Sequence, residues 1–442
     1  MQKYADYTPA QAAWLDELPS HWQCTKIGAL FSERKSKVSD KDYAPLSVAR
    51  IGVVPQLATA VKTDAGDNRK LVCAGDFVIN SRSDRKGSCG VAKLDGSVSL
   101  INIVLTPRNG LSERYVHYLL RSQPFSEEYY RNGRGIVADL WTTRYSEMKS
   151  ILLPVPPREE QDQIVRFLDW KVSSINRLIG VKQKQIAALK EFMQAEIEKQ
   201  LYAYPVEETV RLKQLGTFFK GGGFSRENLV EEEGHPAILY GDIYTQYEYK
   251  TAVINHSIDG AAYSASRKIS KGDIVMAGTG ETKDEIGKSI LYTGDEIVAL
   301  GGDVIVFHPN EGINVEYLLY QLYSQAALKH RYINGKGDII VHIYPTALGN
   351  TIITLPGEAD QNKVVAIINE IIDQVKKAIA VLTDEISVLR EYRVRLVADT
   401  VTGKIDVRGI EIPEYEFVDE DTDADNEDDG EEDTEEQEGA EE

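Results

Sequence analysis

The chain has 442 residues, 42% of them hydrophobic, and a formal net charge of −20 at pH 7. That length gives room for two or three domains, each with its own core, and no run of 18 apolar residues offers a membrane-spanning helix. Cys24, Cys73 and Cys89 show no CxxC spacing, which argues against a zinc site or a disulfide framework.

The start, MQKYADYTPAQAAWLDELPSHW, lacks the charged-then-apolar layout of a signal peptide, and a cytoplasmic location is expected. The negative charge is local. Residues 409–442 hold 19 Asp or Glu and no Lys or Arg, which leaves 51 acidic residues against 50 basic ones in residues 1–408. The body is therefore near neutrality, and the low isoelectric point does not exclude an anionic partner for it. The segment 409–442 reads as a disordered acidic tail, because it has too few apolar residues to offset the entropy of ordering. Such a tail keeps a protein soluble or competes with nucleic acid for a basic groove.

Residues 1–153 read as a compact α/β domain. Trp14, Leu18 and Trp22 supply core aromatic and apolar mass near the start. Strands are expected over 43–51, 76–80 and 101–105, the second launched by the Gly75-Asp76 turn. A helix from Ser112 to Ser122 carries Tyr115, Tyr118 and Leu119, followed by the loop Asn132-Gly133-Arg134-Gly135.

Residues 154–205 predict one long amphipathic helix, roughly 65–70 Å at 1.5 Å per residue. Pro156 and Pro157 suit its entry, Glu159 and Glu160 complement the positive end of its dipole, and Pro205 stops it. Val172, Ile175, Ile179, Lys182, Ile186, Leu189 and Met193 are spaced 3-4-3-4-3-4, a coiled-coil seam interrupted by one lysine.

The whole plan then repeats. In residues 206–355, Gly272–Met276 answers Gly75–Ile79, Tyr317 and Tyr320 answer Tyr115 and Tyr118, and Asn334-Gly335-Lys336-Gly337 answers the earlier glycine loop. In residues 356–408, Pro356, Gln361, Val364, Val365, Leu389 and Glu391 match Pro156, Gln161, Ile164, Val165, Leu189 and Glu191. The second seam is Ile372, Val375, Ile379, Leu382, Ile386, Leu389 and Arg393. Two matched seams in one chain bury most economically against each other. The predicted fold is therefore two α/β (α+β) domains in pseudo-two-fold arrangement, separated by two long antiparallel coiled-coil helices.

The entry LPVPPREEQDQIVRFLD with its diverged copy, the opening Trp14-Leu15 and Leu18-Pro19-Ser20-His21-Trp22, and the strand-loop GDIVMAGTGETKDEIGKS resemble the specificity (S) subunits of type I restriction–modification systems. The resemblance covers residues 1–408, and the acidic tail departs from the family pattern. It implies a non-catalytic DNA-binding subunit with two target-recognition domains. Each would read one half of a gapped double-stranded site, with the helix pair fixing the gap. It also implies docking of two methyltransferase subunits and of motor/endonuclease subunits. S-adenosylmethionine, ATP and Mg would belong to those partners, with no cofactor or metal in this chain.

Contact with DNA needs cations for phosphate and donors or acceptors for base edges. Candidates are Arg34, Lys35, Lys37, Arg82, Arg85, Lys86, Arg134, Lys220, Lys268, Lys283 and Lys336, each of which singly also reads as a solvated surface charge. Three catalytic patterns compete with this reading. Asp76, Asp84 and Lys86, then Asp273, Glu281 and Lys283, fit the metal-nuclease arrangement D-x7-[DE]-x-K, but Gly-Asp is also a plain turn before a strand. Thr282–Ser289 misses a phosphate loop at its first glycine. Val155-Pro156-Pro157-Arg158 lacks both the amide or acid and the aromatic that an adenine methyltransferase needs. A coiled-coil scaffold without DNA reading, or a metal-dependent nuclease, are the alternatives to a recognition subunit.

Overall fold

The computed structural model describes residues 2–57, 66–108, 111–135, 141–231 and 234–419. The chain divides into two compact units, Met1–Lys184 with Leu382–Glu442, and Gln185–Val381. The two long helices, Arg158–Leu201 and Glu358–Val401, each have one half in either unit.

In the first unit a four-stranded antiparallel sheet has the order Cys89–Val91, Phe77–Asn80, Asn102–Pro107, Phe31–Glu33. Ile103 stands opposite Ile79 and Val104 opposite Val78. The inner faces of these strands, with Tyr115, Leu119, Phe125 and Tyr129 from the helices Glu113–Arg121 and Gln123–Arg131, form a core in which all are at most 4% exposed. The strand expected over 43–51 is a hairpin instead, Leu46–Ala49 turning at Arg50 and Ile51 into Gly52–Pro55. Gly52, the first residue after that turn, has φ +119°, a conformation that L side chains rarely adopt.

The second unit carries two five-stranded sheets. One has the order Gly216–Lys220, Val304–Pro309, Ile274–Ala277, Ser289–Tyr292, Lys250–Thr251. The other has the order Leu229–Val230, His256–Ile258, His235–Ile238, Val298–Leu300, Lys268–Ile269. Ile274, Met276, Ile305 and Phe307 pack with Tyr317 and Tyr320 of the helix Val315–Leu322.

Both units enter their long helix by the same device. Ser112 caps its helix by accepting from Tyr115 N, as Asn314 does from Tyr317 N. The buried tyrosines then donate their hydroxyl hydrogens to the strand before the long helix, Tyr115 to Pro154 O at 3.0 Å and Tyr317 to Thr354 O at 3.1 Å. Gln161 Nε2 donates to Pro156 O and Gln361 Nε2 to Pro356 O. The first helix begins at Arg158 and not at Pro154, because Leu152–Val155 is claimed as a strand by Gln23–Lys26.

The seams pair antiparallel. In the first unit Lys182 Nζ meets Glu385 Oε2 at 2.7 Å and Arg393 Nη1 donates to Asn176 Oδ1 at 2.7 Å. Val172, Ile175, Ile179 and Ile386 are buried there, while Leu382 and Leu389 are half-buried. In the second unit Ile197 and Leu201 share a core with Val364, Ile368 and Ile372, and Met193 packs against it. Val375 is buried, and Ile186, Leu189 and Ile379 are half-buried.

Residues 409–419 correct the composition-based onset of the tail. Ile405 and Val407 are buried, and Gln163 Nε2 donates to Val407 O and Ile410 O. Farther on, Asn176 Nδ2 donates to Val418 O and Val418 N to Ser173 Oγ. The segment is thus ordered by backbone hydrogen bonds to the first long helix, which apolar content alone does not register. The expected disorder of residues 420–442 lies outside the described residues.

Candidate nucleic-acid interface

In the first unit one short stretch gathers four of the sequence candidates. Arg82 and Arg134 both form backbone bridges with Thr142. Ser83 N donates to Trp141 O, and Thr143 N to Ser81 O. The 3-10 turn Ser83–Arg85 and Lys86 are thereby held beside the Arg134 loop, and Tyr130 OH fastens the turn by donating to Arg85 O. Trp141, whose carbonyl accepts from Ser83 N, is 37% exposed. Cations for phosphate beside an exposed aromatic ring are a chemistry suited to nucleic acid.

The second unit builds the same loop pair. Lys336 and His342 exchange backbone hydrogen bonds, and Ile343 N donates to Gly278 O as Thr143 N does to Ser81 O. Thr279–Gly280 pairs with Val341–His342, and His342 Nδ1 lies 3.0 Å from Thr279 Oγ1. This places the loop after Gly280, with Lys283, against the loop of Lys336. Lys220 Nζ joins them, 5.2 Å from the centroid of the Tyr344 ring. Ile339 is 88% exposed at the tip.

Beneath this loop lies Arg331, 3% exposed, whose Nε and Nη1 have no hydrogen-bond partner among the described residues. Burial lowers its pKa from the usual guanidinium value. Its stem packs against Gly287, where a Cβ would come within 2.6 Å of Arg331 Cδ. Sequence reasoning missed Arg331, Trp141 and Tyr344. Trp141 and Tyr344 follow the two glycine loops at nearly equal spacing, which was a usable signal. The burial of Arg331 had none.

The remaining candidates lie elsewhere. Arg34 holds Asp76 with two hydrogen bonds, Nε to Oδ2 at 2.6 Å and Nη2 to Oδ1 at 3.1 Å. Lys35 pairs with Glu33, and Lys37 is exposed on the short strand Lys37–Val38. Lys268 donates to Ser266 O and faces the Tyr263 ring, on the other sheet of its unit.

The nuclease pattern meets a different arrangement. Asp76 is 2% exposed and accepts from Arg34, Thr106 Oγ1 and Cys73 N. Asp273 accepts from Ser270 N and lies 2.5 Å from His308 Nδ1. Both carboxylates close their own turns. Among the described residues no three His, Cys, Asp or Glu side chains gather as a metal site would need.

Residues 206–386 match the family model described as the type I restriction modification DNA specificity domain. The chain resembles the type I specificity subunits. A chain solved in work on complex assembly and conformational transition of the type I R-M system has the same fold, with TM-score 0.61 at 15% identity over 88% of this chain and 99% of that one. The HsdS subunit from Thermoanaerobacter tengcongensis aligns with TM-score 0.43 at 16% identity, over 88% of this chain and 98% of its own. The S subunit from M. genitalium gives 0.31 at 18%, over 85% and 96%. No curated protein matches the chain. Among the described residues no helix is long and apolar enough to cross a membrane.

Proposed function

We propose that this chain reads a bipartite, gapped DNA sequence and positions methyltransferase and motor/nuclease subunits on it. The observation that carries the reading is the repeated loop pair. Arg82 and Arg134 both bridge to Thr142, next in sequence to Trp141, with Arg85 and the Glu127-paired Lys86 on the adjoining turn; in the other unit Lys283 and Lys336 stand on paired loops, and Lys220 faces the Tyr344 ring. Each pair is pinned to a rigid sheet by backbone hydrogen bonds, a favourable support for reading base edges. The two sets differ in residue type, which suits two different half-sites. Phosphate contacts would fix register, and the loop tips would discriminate bases.

Partner docking would use the helix pair. Leu178 and Val388 in the first unit are 50% and 63% exposed, and Phe192 and Val381 in the second are 53% and 58% exposed. Large apolar side chains left in water along a helix mark a surface meant to be covered. Two methyltransferase subunits, carrying S-adenosylmethionine, and ATP- and Mg-dependent motor/endonuclease subunits would dock in the cytoplasm. Catalysis would be theirs.

Methylation mapping of host DNA with the gene present and deleted tests the proposal. A gapped adenine-methylation motif that vanishes on deletion is the expected result. An unchanged methylome in cells expressing the partners would remove the modification role.

A further inference from the structure

The first unit carries a second group of cations, absent from the sequence candidates. It centres on the helix Glu113–Arg121. Arg114, whose Nη2 is ion-paired to Asp169 Oδ1, and Arg121 lie on that helix, and Lys93 stands on the adjoining loop with 73% of its side chain exposed. Arg121 Nη1 lies 3.1 Å from His117 Nε2, and its Nη2 donates to Arg50 O. Burial, with Arg121, Arg114 and Lys93, pushes the His117 imidazole down to about 3, against a smaller opposing effect of Asp419.

The chain's own C-terminal segment leads onto this surface. Hydrogen bonds from Gln163 and Asn176 lay residues 407–418 along the first long helix. The Phe417 ring then faces Arg114, whose guanidinium carbon is 5.5 Å from the centroid, and Asp419 Oδ2 meets Lys93 Nζ at 3.3 Å. The route is particular to this helix. Positions 163, 173 and 176 are Gln, Ser and Asn, but 200 residues on they are Lys363, Asp373 and Lys376, which cannot reproduce the same contacts.

Beyond Asp419 come 23 residues, 15 of them Asp or Glu, with no Lys or Arg. They follow directly on Asp419, which stands beside Lys93, and the tether raises their local concentration there far above that of a free polyanion. We propose that the surface of Lys93, Arg114 and Arg121 is the docking site of the acidic segment 420–442, with residues 407–419 as its anchor. Docked there, the segment withholds this basic surface from phosphate. The inference does not rest on sequence reading by the loop pairs, and it stands or falls without it.

Zero-length carbodiimide coupling of the full-length chain carrying Asp419→Asn tests it. The coupling joins a carboxylate to an amine as an amide, and the water lost converts the carbodiimide to its urea. Expected are amides between Lys93 Nζ and carboxylates of 420–442, with a yield several-fold lower in Arg121→Ala. The yield should also fall at about 1 M salt, where the screening length is about 3 Å. Absence of those amides, or equal coupling of the segment to lysines such as Lys35 and Lys376, overturns the proposal. Protection of Lys93 by a random-sequence duplex, with no amide to 420–442, would give the surface to nucleic acid and overturn it as well.

Discussion

Lys182 Nζ and Glu385 Oε2 meet at 2.7 Å across the helix pair, at the place where the second seam offers Leu382 in the repeat position of Lys182. The lysine stem is largely covered, with 22% of the side chain exposed, while Glu385 keeps 49% of its side chain in water. A half-solvated pair of this kind is worth little, about 0–1 kcal/mol. Lys182→Leu should therefore stabilise the first unit by about 1 kcal/mol through added apolar burial. Glu385, already hydrated, loses little. Urea unfolding would show a higher midpoint at unchanged slope; a lower midpoint would mean the ion pair outweighs the packing.

The same register allows a test of the spacer. With Lys182 against Glu385 and Asn176 against Arg393, Lys184 lies opposite Asp384. These positions are also repeat equivalents, so insertions there remain face to face, whereas insertions at Gly180 and Ala380 would be displaced along the pair. Four residues added after Lys184 and four after Asp384 lengthen each helix by about 6 Å. On the proposed function, methylation mapping should show a gap longer by about two base pairs, given a rise of about 3.4 Å per pair, and unchanged half-sites. Altered half-sites would sink the division of labour between helices and heads.

The repeat and the seams were legible because both are written in apolar periodicity, which survives divergence. Val172, Ile175 and Ile179 alternate at helical spacing, and burial follows directly. The candidate site was legible only in part. The Lys336 and Arg134 loops were marked by glycine, but their closure on Thr142 and His342 is a long-range backbone contact. Arg34 and Arg134 look alike in sequence, yet one holds a buried carboxylate 42 positions away. The order of 409–419 was hidden for a related reason: its partners are Gln163, Ser173 and Asn176, polar residues on a helix, where a pattern reading expects solvent.

His117 predicts an acid limb in the stability of the first unit. Its imidazole stays neutral in the folded chain down to about 3, through burial and through Arg121, Arg114 and Lys93, whereas an unfolded histidine titrates near 6.5. Between those values the unfolded state binds more protons, so stability is complete above about pH 6.5 and declines as pH falls towards 3. The slope from one such group is at most about 1.4 kcal/mol per pH unit. His117→Gln should flatten the decline between pH 6.5 and 4, measured by urea unfolding at each pH. An identical profile in the variant would assign the limb to other groups.

The loop pairs predict separable effects on DNA binding. Arg134 and Lys336 occupy the same place in the two units, each exchanging backbone hydrogen bonds with the residue at the foot of its loop. Their side chains are thus replaceable without loss of the bridge, which is made by main-chain atoms. If each cation meets one phosphate, Arg134→Ala and Lys336→Ala should each reduce the slope of log Kd against log salt by about 0.9. Both together should reduce it by about 1.8, since the sites lie in different units and share no partner. The measurement is a salt titration of duplex binding by the partner-loaded complex. Trp141→Ala should weaken binding with the slope unchanged, because an aromatic contact releases no counterion. A slope that ignores both cations would place the phosphate contacts elsewhere on the two units.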